Sequence, residues 1–167
     1  DGITMCQAVS ALADAEHGDA VIVTDVGQNQ MMAARYFKFS EQRSIVTSGG
    51  MGTMGYSIPA AMGAKLADKK RQVVAVCGDG SFQMSMMELA TMNQHHIPVK
   101  IVVLKNNYLG MVREYQHYTY KDHYSVVDLS GSPDLEKLSA AYGMDFARLE
   151  NMDHAQETVD AFLREDK

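Results

Sequence analysis

Three short runs along the chain are apolar at nearly every position rather than at every second one: 20–24 (AVIVT), 72–77 (QVVAVC) and 99–104 (VKIVVL). A strand of this kind has both faces covered, which predicts parallel pairing between layers of helix. Two weaker runs, 44–47 and 145–149, read as further strands. Between these runs the apolar positions recur at helical spacing over 5–16, 86–94, 134–141 and 153–163, with shorter candidates at 31–36 and 58–66. Start signals accompany three of the helices. Thr4 with Gln7 and Ser85 with Glu88 fit capping boxes, and Ser132 followed by Pro133 opens the helix at 134. The repeated βαβα order predicts one α/β domain over 1–167, a parallel sheet with right-handed crossovers and helices on both faces. No repeat, low-complexity tract or linker divides it.

Composition narrows the class. With 46% hydrophobic and 22% charged residues and 3 Pro, the chain is neither disordered nor collagen-like. Its 167 residues are about one domain. The net charge is −6 and the basic residues do not cluster, so no nucleic-acid partner is expected. Cys6 and Cys77 are too few for a disulfide framework, which fits a reducing, cytoplasmic setting. The apolar runs fall far short of the ~20 residues a membrane-crossing helix needs, so no membrane association is expected. No signal peptide opens the sequence, and its start at Asp1 suggests a fragment of a longer multidomain chain.

Open parallel sheets hold ligands beyond the carboxyl ends of their strands. Those ends read Asp25-Val26-Gly27-Gln28, Ser48-Gly49-Gly50-Met51-Gly52, Gly78-Asp79-Gly80-Ser81 and Lys105-Asn106-Asn107. Residues 50–55 spell G-x-G-x-x-G, the pattern of a dinucleotide-binding turn. The run before it is a poor central strand, however, and Asp79 lies between glycines rather than at a plain strand end. The second pattern is more specific. Gly78-Asp79-Gly80 ends one predicted strand, and Asn106-Asn107 ends the next after a single crossover helix, so both side chains should emerge at one edge. A carboxylate and a carboxamide there are hard oxygen ligands suited to Mg²⁺ shared with phosphates. Gly78 and Gly80 allow close backbone approach, and amides opening the next helix favour an anion.

These residues resemble the diphosphate-binding signature of thiamin diphosphate (ThDP) enzymes, a GDG followed one strand later by an Asn pair. The stretches 25–31, 48–56, 78–90 and 98–112 are similar to the acetolactate (acetohydroxyacid) synthase large subunits. The resemblance implies the ThDP-binding fold and a set of roles. Asp79 and Asn106 would hold Mg²⁺ by side chain and Tyr108 by its backbone carbonyl, with Asn107 a neighbour. Gln28, Ser81 and Gly110 would touch the diphosphate or thiazolium, with Val26, Gly27, Asn29, Gly78, Gly80, Leu109 and Val112 around them. The Gly52 carbonyl and Met54 amide would bond the aminopyrimidine. The Met54 side chain would hold the cofactor bent, and Met111 would line the same pocket. No acid or base is implied among these residues, because the family's glutamate comes from the pyrimidine-binding domain of another subunit. The implied activity is ThDP- and Mg²⁺-dependent decarboxylation of pyruvate and carboligation to a second 2-oxoacid, in branched-chain amino acid or acetoin metabolism. The implied assembly is a homodimer or tetramer, with room for FAD in a further domain and for a small regulatory subunit.

Two positions depart from the family. Asn29 stands where a His is usual, and Tyr115 stands where synthases of branched-chain biosynthesis usually carry Trp, which favours pyruvate over 2-ketobutyrate as acceptor. Sulfoacetaldehyde acetyltransferase, glyoxylate carboligase and 2-oxoacid decarboxylases share the metal motif and stand as alternatives. So does a non-catalytic assembly module, against which the intact Asp79, Asn106 and Met54 argue. Met84, Met86, Met87 and Met92 are expected to fill the core, and His95-His96 to close a helix. Residues 113–121 mix aromatic and charged side chains, as a short helix and flexible segment over the site's mouth would. The isolated chain is expected to fold and bind ThDP–Mg²⁺ weakly without turning over pyruvate.

Overall fold

The computed structural model describes residues 2–164. Within them the three mostly apolar runs become neighbouring strands of a parallel sheet, two central and one at its edge. It comprises β1 (Val21–Thr24), β2 (Ile45–Thr47), β3 (Val73–Gly78) and β4 (Lys100–Leu104), in the order β2-β1-β3-β4. The helices are α1 (Met5–Glu16), α2 (Gln28–Tyr36), α3 (Ser57–Ala67), α4 (Asp79–Ser85), α5 (Glu88–His95), α6 (Gly110–Tyr120), α7 (Leu135–Ala141) and α8 (Ala155–Arg164).

Alternate strand residues feed two cores, which is why the strands show no polar face. Val21, Val23, Val73, Ala75 and Cys77 pack with Ile58 and Ala61 of α3 and with Phe82, Leu89 and Met92 of α4 and α5. Ile22, Val74, Val76 and Leu104 pack on the other face with Val9 and Leu12 of α1, Ala33 of α2 and Val159 of α8. Burial, with the Asp25 carboxylate adding to it, pushes the Cys77 thiol up. That thiol is an inert core group. β1 hands the chain to α2 on one face, whereas β3 hands it to α4 and α5 on the other. A crevice therefore opens where neighbouring strands β1 and β3 send their connections apart.

Local signals hold in part. Thr4 caps α1 as expected, accepting from the Gln7 amide at 3.3 Å while the Gln7 side chain accepts from the Thr4 amide at 2.9 Å. Ser85 caps nothing: α4 already starts at Asp79, so Ser85 ends that helix and α5 follows Met87 with no side-chain cap. Asp134, not Ser132, caps α7, with its carboxylate accepting from the Glu136 and Lys137 amides. Ser132 instead donates to the Leu129 carbonyl at 2.6 Å. Met92 is buried and Met86 half-buried, but Met84 and Met87 are exposed, because α4 and α5 turn Ser81, Phe82, Ser85 and Leu89 inward instead.

Residues 145–149 form no strand. Arg148 is drawn to Glu136 and Glu150 (3.4 Å each), and the Glu150 carbonyl accepts from the Ile3 amide at 2.9 Å. The segment is tethered to α7 and the N-terminal residues rather than to β4, and a cleft of about 1540 Å³ runs along that edge.

Candidate functional site

Two helices begin at the sheet edge with almost no intervening loop. Gly27, at a φ of 134° that suits glycine, leads into α2, so Gln28 and Asn29 form that helix's first turn. Gly78 leads into α4, so Asp79, Gly80 and Ser81 form its first turn, and all three are buried. The chain leaves β4 through Lys105, Asn106 and Asn107. Asn107 has a left-handed φ of 61°, a conformation Asn tolerates better than most residues.

Asp79 ties these ends together. Its Oδ1 accepts from the Gly80 amide at 3.1 Å, and its Oδ2 accepts from the Asn107 amide at 2.7 Å across the ends of β3 and β4. Asn106 Oδ1 accepts from the Tyr108 amide at 2.9 Å. The loop is held from outside by Leu109 N donating to the Val127 carbonyl (2.9 Å) and Leu129 N to the Asn107 carbonyl (2.8 Å). Glycine leaves room for close side chains at two positions. A Cβ on Gly80 would stand 2.6 Å from Leu109 Cδ2 and 3.7 Å from Met54 Cε, and one on Gly110 would collide with Gln28 Oε1 and lie 3.1 Å from Asn106 Nδ2.

The result is a small cleft of about 50 Å³. Val26, Gly27, Gln28 and Asn29 line it after β1, Gly78, Asp79, Gly80 and Ser81 after β3, and Asn106, Tyr108, Leu109, Gly110, Met111 and Val112 after β4. Met54 reaches in from the turn before α3. Of the residues singled out from the sequence, Gly52 lies outside, in an exposed turn where its amide donates to the Ser48 carbonyl at 2.9 Å. Met5 and Leu104 line the cleft without any sequence signal for that role. Gly50 and Gly52 of the G-x-G-x-x-G run lie in an exposed turn after the short edge strand β2, not after a central strand.

The donor set is a carboxylate, a carboxamide and backbone carbonyls. No group of three or more His, Cys, Asp or Glu able to hold a metal occurs among the described residues. Such oxygen donors fit Mg²⁺ that completes its coordination on phosphates, and do not fit Zn²⁺. Among the described residues Asn29 Oδ1, an acceptor buried in the cleft wall, has no hydrogen-bond partner, so it is open to a donor such as water.

α6 starts at the cleft with Gly110, Met111 and Val112 and buries none of its residues. Gln28 Nε2 donates to Glu114 Oε2 at 3.0 Å, joining α2 to α6. Arg113 lies over the rings of Tyr108 (4.7 Å) and Tyr124 (4.3 Å), and Gln116 exchanges two hydrogen bonds with the backbone of Ser125. The Tyr124 hydroxyl and His117 hold the Asp122 carboxyl below the usual carboxylate range. The chain after α6 is thus folded back onto the helix.

The family model described as "Thiamine pyrophosphate enzyme, C-terminal TPP binding domain" matches residues 25–167. The chain belongs to that family. It is 43% identical over 145 residues to the acetolactate synthase large subunit of Lactococcus lactis, covering 87% of this chain and 25% of that protein. It is 39% identical over 155 residues to the acetolactate synthase isozyme 2 large subunit of Escherichia coli, covering 93% of this chain and 28% of that one. A probable acetolactate synthase large subunit of Methanocaldococcus jannaschii is 44% identical over 146 residues, 87% of this chain and 25% of its own length. This TPP-binding domain therefore spans about a quarter of the length of these curated relatives. Among its described residues no helix is long and apolar enough to cross a membrane.

Proposed function

We propose that this TPP-binding domain anchors ThDP and Mg²⁺ in an acetolactate synthase-type enzyme, a carboligating transferase acting on pyruvate. The observation that carries this reading is the meeting of Asp79 and the Asn106 loop. A buried carboxylate takes the Asn107 amide at 2.7 Å, and so sits at the root of a carboxamide on the neighbouring strand end. The relatives' names support the choice of synthase among ThDP enzymes.

When bound, ThDP supplies the electron sink for decarboxylating a 2-oxoacid and joining the remaining carbons to a second one. The side chains of Asp79 and Asn106 and the Tyr108 carbonyl would hold Mg²⁺. Gln28 and Ser81, in the first turns of α2 and α4, would take diphosphate oxygens. Met54, unbranched and polarizable, would fill the bend of the cofactor, and Met111, Leu109 and Val112 would exclude water beside it. FAD binding in a further domain, a homodimer or tetramer formed through the pyrimidine-binding domain of another subunit, and a small regulatory subunit belong to the same reading.

Product analysis of the full-length enzyme given pyruvate, ThDP and Mg²⁺, with and without FAD, tests the reading. Acetolactate is the expected product. A lone aldehyde or a sulfonate-dependent reaction would move the chain to another ThDP activity.

Two substitutions refine the assignment. Gly110→Ala places a methyl group against Gln28 Oε1 and Asn106 Nδ2, the mobile ends of side chains. It should weaken Mg²⁺–ThDP binding roughly tenfold, about the worth of one charge-assisted hydrogen bond, and barely change the melting temperature. Magnesium titration of activity reads the first effect and thermal unfolding the second. Tyr115 is exposed on α6, its ring edge-on to Tyr120 at 5.9 Å. Tyr115→Trp should raise the preference for 2-ketobutyrate over pyruvate as acceptor roughly tenfold, the low end of the ~10–200-fold range of apolar-contact discrimination. Competition between the two acceptors measures it.

A further inference from the structure

Asp25 is fully buried, and among the described residues it has no ion-pair partner. Its own amide extends the sheet ladder, donating to the Val76 carbonyl at 2.9 Å. Its carboxylate collects three amides from two segments. Oδ1 accepts from Val26 at 2.9 Å and from Gly55 at 3.0 Å, and Oδ2 accepts from Ser57 at 3.0 Å.

Part of this is helix capping. Ser57 opens α3, and Tyr56 before it offers no side-chain bond, so an anion from another element is well placed there. Capping needs only Oδ2. The Oδ1 pair does something else: it joins Val26, in the cleft wall after β1, to Gly55, the residue after Met54. Gly55 has a φ of 82°, and a Cβ there would stand 3.0 Å from Met84 Cβ, so its turn is pressed against α4. From that turn the Met54 side chain crosses to Gly80. Asp suits the position because both oxygens accept, whereas an Asn would turn an NH₂ group toward one of the amides.

We propose that Asp25 is a positioning residue that fixes the Met54-bearing turn against the end of β1. It thereby shapes the aminopyrimidine side of the cleft while leaving the diphosphate end to Asp79 and Asn106. The inference rests on the ThDP reading above. The test compares two ligands on the full-length protein by titration calorimetry: Mg²⁺–ThDP, and Mg²⁺–pyrophosphate, which keeps the anchor and lacks the rings. In Asp25→Asn, affinity for Mg²⁺–ThDP should fall about tenfold or more, as loss of hydrogen bonds to a charged acceptor implies. Affinity for Mg²⁺–pyrophosphate should stay within about twofold, and kcat should fall at saturating ThDP. Equal loss of both ligands, or loss of neither, overturns the proposal.

Should Asp25→Asn fail to fold, hydrogen exchange on the wild-type protein decides. The Gly55 and Ser57 amides should be strongly protected, and Mg²⁺–ThDP but not Mg²⁺–pyrophosphate should slow exchange at residues 52–54. Unprotected amides at 55 and 57, or an equal response to both ligands, overturns it. A wild-type protein that binds neither ligand removes the ThDP reading itself, which separates the two failures.

Discussion

Asp79→Asn in the full-length protein should lose at least ~100-fold of its ThDP-dependent activity at limiting Mg²⁺, while the metal-free protein melts near the wild-type temperature. The activity loss follows from the ligand role: partners that merely orient a metal ligand are worth about 10–100-fold, and a direct charged ligand is worth more. The stability expectation follows from burial. Asp79 is 2% exposed and, among the described residues, has no ion-pair partner, so without metal its charge is held only by the Gly80 and Asn107 amides. Neutralising it removes a desolvation penalty and forfeits one of those two hydrogen bonds, effects of opposite sign. Asp79→Ala should abolish activity too, but it strands both amides at about 1–3 kcal/mol each and should melt lower. The pair of variants therefore separates metal binding from fold, provided activity is followed against Mg²⁺ concentration and melting is followed in chelator. Wild-type magnesium dependence in Asp79→Asn would end the metal assignment.

What could be read from the sequence divides by how far apart the interacting residues lie. β1 and β3 are legible because burial on both faces leaves them almost no polar position, and β4, a half-buried edge strand, keeps the same apolar run after Lys100. Thr4 is legible because its capping partner is three residues away. Ser85 has the same local pattern and fails, because the decision was made upstream: Gly78 ends β3 and α4 starts at once. Residues 145–149 read as a weaker strand, yet Arg148 finds Glu136 and Glu150, and no local rule weighs those ion pairs against a ladder on β4. The cleft was largely visible because it is built from strand ends, whose position the topology dictates. Asp25 was not, although the sequence shows an acid closing an apolar strand. Its meaning lies in amides 30 and 32 positions away, at Gly55 and Ser57, which only the folded chain brings to it.

Ile22→Ala should cost about 2–5 kcal/mol of unfolding free energy, the range for deleting a buried aliphatic side chain and leaving part of its volume empty. Ile22 is fully buried in central strand β1, paired with Ile45 on one side and Val74 on the other, and packed among Val9, Leu12, Ala33 and Val76. Its surroundings have little freedom to collapse. The strands on either side are fixed by ladder hydrogen bonds, and α1 and α2 press the layer from above. Since whole domains are stable by only about 5–15 kcal/mol, the loss is a large fraction of the total. The internal control is Ile45, the same residue type in register beside it but on edge strand β2 and 41% exposed. Ile45→Ala leaves little cavity and should cost under ~1 kcal/mol. Urea denaturation of the two variants, with unchanged m-values, measures the contrast. Equal costs would mean that β1 is not the buried centre of the sheet. Below its transition, Ile22→Ala should still bind Mg²⁺–ThDP with wild-type affinity, because the cleft hangs on the strand ends rather than on this core position.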